Sequence, residues 1–145
     1  MTTVSIYLNF ENAAEEAFAF YRQVFGTELA YPPFRYSDAP AGEDWPPVPD
    51  EQKNLIMNIA MPLAGGVTLM GADVGEGMGF THTVGNNVQI GLHPETREEA
   101  DRLYAALSEG GDARMPMADQ FWGDYYGELV DQFGIVWLIF FANER

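Results

Sequence analysis

Cysteine is absent from the 145 residues. That excludes disulfides, thiol nucleophiles and thiolate metal sites. Basic residues are scarce: 7 Lys and Arg stand against 22 Asp and Glu, a formal net charge of −15. Nucleic acid is therefore not an expected partner, because phosphate binding needs cations to displace counterions. An anionic membrane surface is disfavoured for the same reason. No apolar run reaches the ~18 residues of a membrane helix. The opening MTTVSIYLNF has no basic region ahead of an apolar one, so no secretory leader is expected. A cytoplasmic location is the remaining expectation. The acidity reads first as a source of solubility, and second as a field that draws cationic ligands.

What is present suits a packed core. Apolar residues make up 47% and aromatics 14%, enough burial to offset chain entropy in one domain. EEAFAFY at 15–21 has a counterpart in EEADRLY at 98–104. Ala14, Ala17, Phe18, Tyr21, Val24 and Phe25 form a helical stripe, with Asn12 as expected N-cap and Gly26 as stop. Ala100, Leu103, Tyr104 and Leu107 form a second stripe. Thr96 and Glu99 give it a capping-box pattern, and Gly110 and Gly111 end it. Strand-like stretches surround both helices: 4–10, 27–36, 54–63 and 67–70 around the first, and 87–92, 112–118, 123–132 and 135–141 around the second. Each half reads β-α-β-β-β. Residues 37–53, rich in proline and acid, read as a long surface loop that could serve as a flap. The Gly-rich 71–86 reads as the joint between halves.

This pattern resembles the PhnB-like branch of the vicinal oxygen chelate superfamily, which includes glyoxalase I, bleomycin-resistance proteins and extradiol dioxygenases. The residues that carry the resemblance are YLNFENAAEEAFAFYRQVFG (7–26), GNN (85–87), REEADRLYAALSEGG (97–111) and DQFWGDYYGELVDQFGIVWLI (119–139). It implies an α+β fold in a single domain, 1–145: two β-α-β-β-β modules, about 3–72 and 87–142 with a linker at 73–86, forming curved mixed sheets around a cleft, within one chain or across a dimer. It also implies a homodimer.

Catalytic members of that superfamily hold a divalent metal on His, Glu or Gln from the first and last strands of each module. Here the first strand offers Ser5, Tyr7 and Asn9, the strand at 67–70 offers Thr68, the strand at 87–92 offers Gln89, and the last offers none. Asn58 stands where comparable members often carry His. His82 lies in the glycine-rich joint, and His93 just before Pro94. The expectation is no metal and no cofactor. The alternative is a metal-dependent lyase, isomerase or dioxygenase with unusual ligands drawn from Gln89, Glu128 and His93. A methyltransferase is not expected, because the chain shows no strand, glycine loop and helix unit for that cofactor. GADVGEGMG is not a phosphate loop, since no Lys follows it.

Glu128 is a candidate general base if buried, weighed against an outward-facing strand acid. By alternation it shares a face with Tyr126 and Val130, opposite Tyr125, Gly127, Leu129 and Asp131. Asp131 is expected to shape the turn before Gly134. Candidate ligand-binding residues are Trp122, Tyr126, Phe121, Tyr125, Asn58, Gln89 and Asn9, with Trp137 in the same aromatic cluster. Methionines 57, 61, 70, 115 and 117 lie on or beside the strands. An aromatic, Met-lined pocket with few polar groups suits a mostly apolar or planar ligand, and aromatic faces with carboxylates also suit cations. The favoured reading is a metal-free protein that binds or sequesters a small molecule. A structural or regulatory dimer without ligand is the third reading.

Overall fold

The stripe over 14–25 folds as α1 (Ala14–Phe25), burying Ala14, Ala17, Phe18, Tyr21 and Val24. Gly26 ends it in the left-handed conformation, with its N–H on the Arg22 carbonyl, a state that L side chains resist. The expected Asn12 cap is not used. The N-cap residue is Ala13, and Asp73 Oδ1 accepts from the amides of Ala13 and Ala14 at 2.9 Å each. A carboxylate there satisfies two orphan donors and meets the positive end of the helix dipole. The second helix, α2 (Arg97–Ser108), keeps its expected cap: Thr96 Oγ1 accepts from the Glu99 amide.

The computed structural model describes residues 1–40, 48–74 and 81–143. The expected flap at 37–53 and the joint at 71–86 therefore lie partly outside the described residues. The chain divides into two compact units, Met1–His82 and Thr83–Arg145. Among the described residues no helix is long and apolar enough to cross a membrane.

The first unit is a four-stranded sheet in the order β1 (Ser5–Phe10), β4 (Thr68–Asp73), β3 (Ile56–Pro62), β2 (Phe34–Arg35). The second repeats it with β5 (Ile90–Leu92), β8 (Val136–Ala142), β7 (Asp124–Val130) and β6 (Asp112–Asp119). In both, the first and last strands run parallel through the helical crossover and the other pairs are antiparallel. The fold is α+β: two mixed sheets, each with one helix. The stretch 27–36 yields only a two-residue strand. Pro32 and Pro33 immediately before it offer no N–H to a ladder.

Each helix covers one face of its own sheet. In the first unit a Cβ on Gly71 would lie 2.8 Å from the Phe18 ring, so Gly71 and its partner Leu8 face α1. Tyr7, paired with Met70, and Asn58, paired with Phe34, project to the other side. In the second unit a Cβ on Gly127 would meet the Tyr104 ring at 3.0 Å, so Gly127 and Ile139 face α2. Alternation then puts Tyr126 with Phe140, and Glu128 with Leu138, on the open face. Strand β6 forms the edge of its sheet, is mostly exposed, carries Pro116 and shifts register twice against β7.

Candidate functional site

The turn between β6 and β7 is closed by the Gly123 amide on the Gln120 carbonyl and the Gln120 amide on the Asp124 carbonyl. Gly123 takes φ 106°, where any other residue is strained. The tip carries Phe121, 98% exposed, and Trp122, 43% exposed. The Trp122 indole N–H donates to the Asp124 carboxylate at 2.9 Å. Ring centroids then run in one row: Phe121 to Trp122 at 5.2 Å, Trp122 to Tyr126 at 5.6 Å, Tyr126 to Phe140 at 4.8 Å, and Phe140 to His93 at 4.9 Å. The last pair is stacked, with planes 8° apart. Five rings from one turn and three strands' worth of backbone make an aromatic strip on the open face.

Glu128 borders the strip, one alternation beyond Tyr126. Its carboxylate accepts from Arg114 of β6 at 3.3 Å. Burial first, then the Glu128 charge, push the Tyr126 phenol above its ordinary value.

Phe121, Trp122 and Tyr126 thus come together, with Glu128 beside them. Tyr125 does not join them. It faces α2, where its hydroxyl donates to Asp101 at 2.5 Å and the Arg97 guanidinium lies 3.7 Å over its ring. Trp137 is fully buried under α2, so it is core and not part of the strip. Met61 is core as well, and Met117 packs under Gly127. Gln89 is exposed just before β5. Asn9 and Asn58 belong to the first unit. The Asn9 carbonyl accepts from His82 Nε2 at 3.1 Å. Asn58 links two tyrosines: Oδ1 accepts from the Tyr31 hydroxyl, and Nδ2 donates to the Tyr7 hydroxyl at 3.5 Å.

Sequence reasoning missed Phe140, and weighed His93 only as a metal-ligand candidate. Alternation alone puts Val136, Leu138 and Phe140 on one face, but only the strand register sets Phe140 beside Tyr126. His93 follows Gly91 by two residues, on the parallel neighbour of β8. It is exposed, as expected of a loop histidine, but its ring is held against Phe140.

A recess of about 340 Å³ opens in the first unit beside the first turn of α1, lined by Asn12, Glu15, Glu16 and Asn54 among others. Two of its three acids, Glu15 and Asp73, are committed elsewhere. Glu15 pairs with Arg35, and Asp73 serves the Ala13, Ala14 and Ile56 amides.

Residues 2–140 match the family described as 3-demethylubiquinone-9 3-methyltransferase. The chain belongs to that family. Protein PA1353 from Pseudomonas aeruginosa is 28% identical, with a TM-score of 0.81 over 99% of this chain and 100% of that one. A putative 3-demethylubiquinone-9 3-methyltransferase, PhnB protein, from Bacillus cereus is 25% identical, with a TM-score of 0.73 over 97% of this chain and 100% of that one. The PhnB-like resemblance read from the sequence is borne out. A glyoxalase-related enzyme from Fulvimarina pelagi, 18% identical, has a TM-score of 0.67 over 98% of this chain and 88% of that one, which shows the shared glyoxalase fold.

The family description implies a methyl donor, and the fold family implies a metal. A nucleoside-sulfonium cofactor is ordinarily held by a glycine loop and free helix N-terminal amides in a doubly wound parallel sheet. Here the sheets are mixed, residues 11–13 between β1 and α1 contain no glycine, and the amides of Ala13 and Ala14 are taken by Asp73. The described residues do not fit that cofactor. Nor do they fit a divalent metal: no three His, Asp or Glu side chains among them converge. In the trio of Gln89, Glu128 and His93, Glu128 turns to Arg114 on β6. That is away from β5, which lies two strand spacings off, roughly 10 Å.

Proposed function

We propose that this protein binds or sequesters a small planar molecule on the aromatic strip of its second unit, without a resident metal and without methyl transfer. The observation that carries this reading is the unbroken row from Phe121 to His93. Large exposed aromatics are costly to leave bare, and stacking on rigid rings gives contact area at little entropy cost. The Trp122 ring is anchored by its bond to Asp124, so its face is set before any ligand arrives. Nothing in the donor set favours the metal-dependent reading over this one. Homodimerisation is part of the same proposal, and light scattering at twice the chain mass is its check.

Native mass spectrometry tests the reading. The purified chain should carry an organic mass that Trp122→Ala loses, with no metal retained after incubation with zinc, nickel or iron(II) and mild chelation. A stoichiometric metal that survives chelation sinks the metal-free reading and returns attention to Gln89, Glu128 and the histidines.

A further inference from the structure

We infer that the molecule held on the strip carries an anionic group on its ring, a carboxylate or phenolate, and that Arg114 receives it. This rests on the reading that the strip is a binding site, and it reverses the expectation of a cationic ligand that net charge alone suggests.

The argument turns on which polar group beside the rings has capacity to spare. Glu128 would attract a cation, but the Arg114 guanidinium at 3.3 Å already answers its charge, and its side chain is only 23% exposed. Arg114 is the reverse case. A guanidinium has five N–H donors, and Arg114 spends one on Glu128 at 3.3 Å while its side chain is 39% exposed. The other described cations of the second unit are consumed. Arg97 makes two 3.0 Å bonds to Asp119 and a third to Asn143. Arg102 is bidentate on Glu99 at 2.9 and 2.6 Å. In the first unit Arg35 serves Glu15 and the Asn54 carbonyl. Among the described cations of the second unit Arg114 is the loosely tied one, and it pairs with Glu128, which flanks Tyr126 on the same face of β7.

Guanidinium geometry matches a carboxylate with two parallel bonds. A ring stacked on Tyr126 and Phe140 could direct such a group toward β6, while Arg114 keeps one N–H on Glu128. The chain's −15 charge opposes this weakly. At physiological salt, charges beyond about 8 Å are largely screened, so the local guanidinium decides.

The test is calorimetric titration of the full chain with three probes on one ring: 2-naphthoate, 2-naphthalenemethanol and 2-naphthylmethylammonium, at 0.15 M salt. Naphthoate should bind about tenfold tighter than the alcohol, as one charge-assisted contact implies, and the ammonium no tighter than the alcohol. Arg114→Gln should erase the naphthoate preference and leave the alcohol unchanged, with thermal melting unaltered. Arg114→Lys should restore part of it. If the ammonium binds best, or the preference survives Arg114→Gln, Arg114 is only the partner of Glu128 and the inference fails. In that event alcohol binding that is lost in Trp122→Ala leaves the strip standing as a site. If no probe binds the wild-type chain at millimolar concentration, the strip reading falls and takes this inference with it.

Discussion

The Asp131 carboxylate accepts the indole N–H of Trp137 at 2.8 Å, in a place where Asp131 is 3% exposed and Trp137 0%. The same carboxylate accepts the amides of Phe133 and Ile135 at 2.8 and 3.1 Å. The turn between β7 and β8 and the largest core side chain thus hang on one acid. Asp131→Ala should destabilise the fold by about 3 kcal/mol, since it strands a buried indole donor as well as two turn amides. Urea unfolding measures it; a cost under about 1 kcal/mol would mean that other acceptors serve the indole.

Asp73 ties three segments. Oδ1 takes the first amides of α1, and Oδ2 takes the Ile56 amide at the start of β3, at 2.9 Å. Asp73→Ala removes both acceptors. It should cost about 2 kcal/mol and speed hydrogen exchange at Ala13, Ala14 and Ile56 together. Faster exchange at Ile56 alone would contradict the shared role.

Alkaline pH should weaken the fold through half-buried phenols. Burial first, then Asp73, raise Tyr36 above its ordinary value, and burial chiefly raises Tyr104. Both donate to backbone carbonyls, of Asp73 at 2.7 Å and Glu128 at 3.1 Å. A raised folded value means the native state holds its proton longer than the unfolded chain. This stability is therefore complete below the unfolded value of about 10 and is lost as pH rises through the folded values. The melting temperature should fall above about pH 10, less steeply in Tyr36→Phe. An unchanged slope in that variant would remove Tyr36 from the account.

Local pattern made most of the fold legible. Helical stripes and two-residue alternation placed α1, α2 and the long strands within a few residues, because each buries one face against its own neighbour. The contacts that span the chain were not legible. Asp73 caps a helix 59 residues away, and no spacing rule reaches that far, so Asn12 was chosen instead. The site was half legible. Trp122 and Tyr126 stood out beside glycines, and the alternation that separated Tyr125 from Tyr126 was in hand, although both were still grouped with the ligand-binding set. Phe140, His93 and Arg114 needed strand order: which chain segments lie side by side decides which rings form a row.

Strand β6 leaves a final consequence. An open strand edge is a template on which a stray extended chain can zip, and one copy adding to the next is how ordered precipitates begin. Pro116 deletes an amide from that edge, and the two register shifts break its straight run. The strand that delivers Arg114 is thereby a poor seed. The second unit can keep a solvent-facing edge beside its aromatic strip and still resist growing a fibre from it.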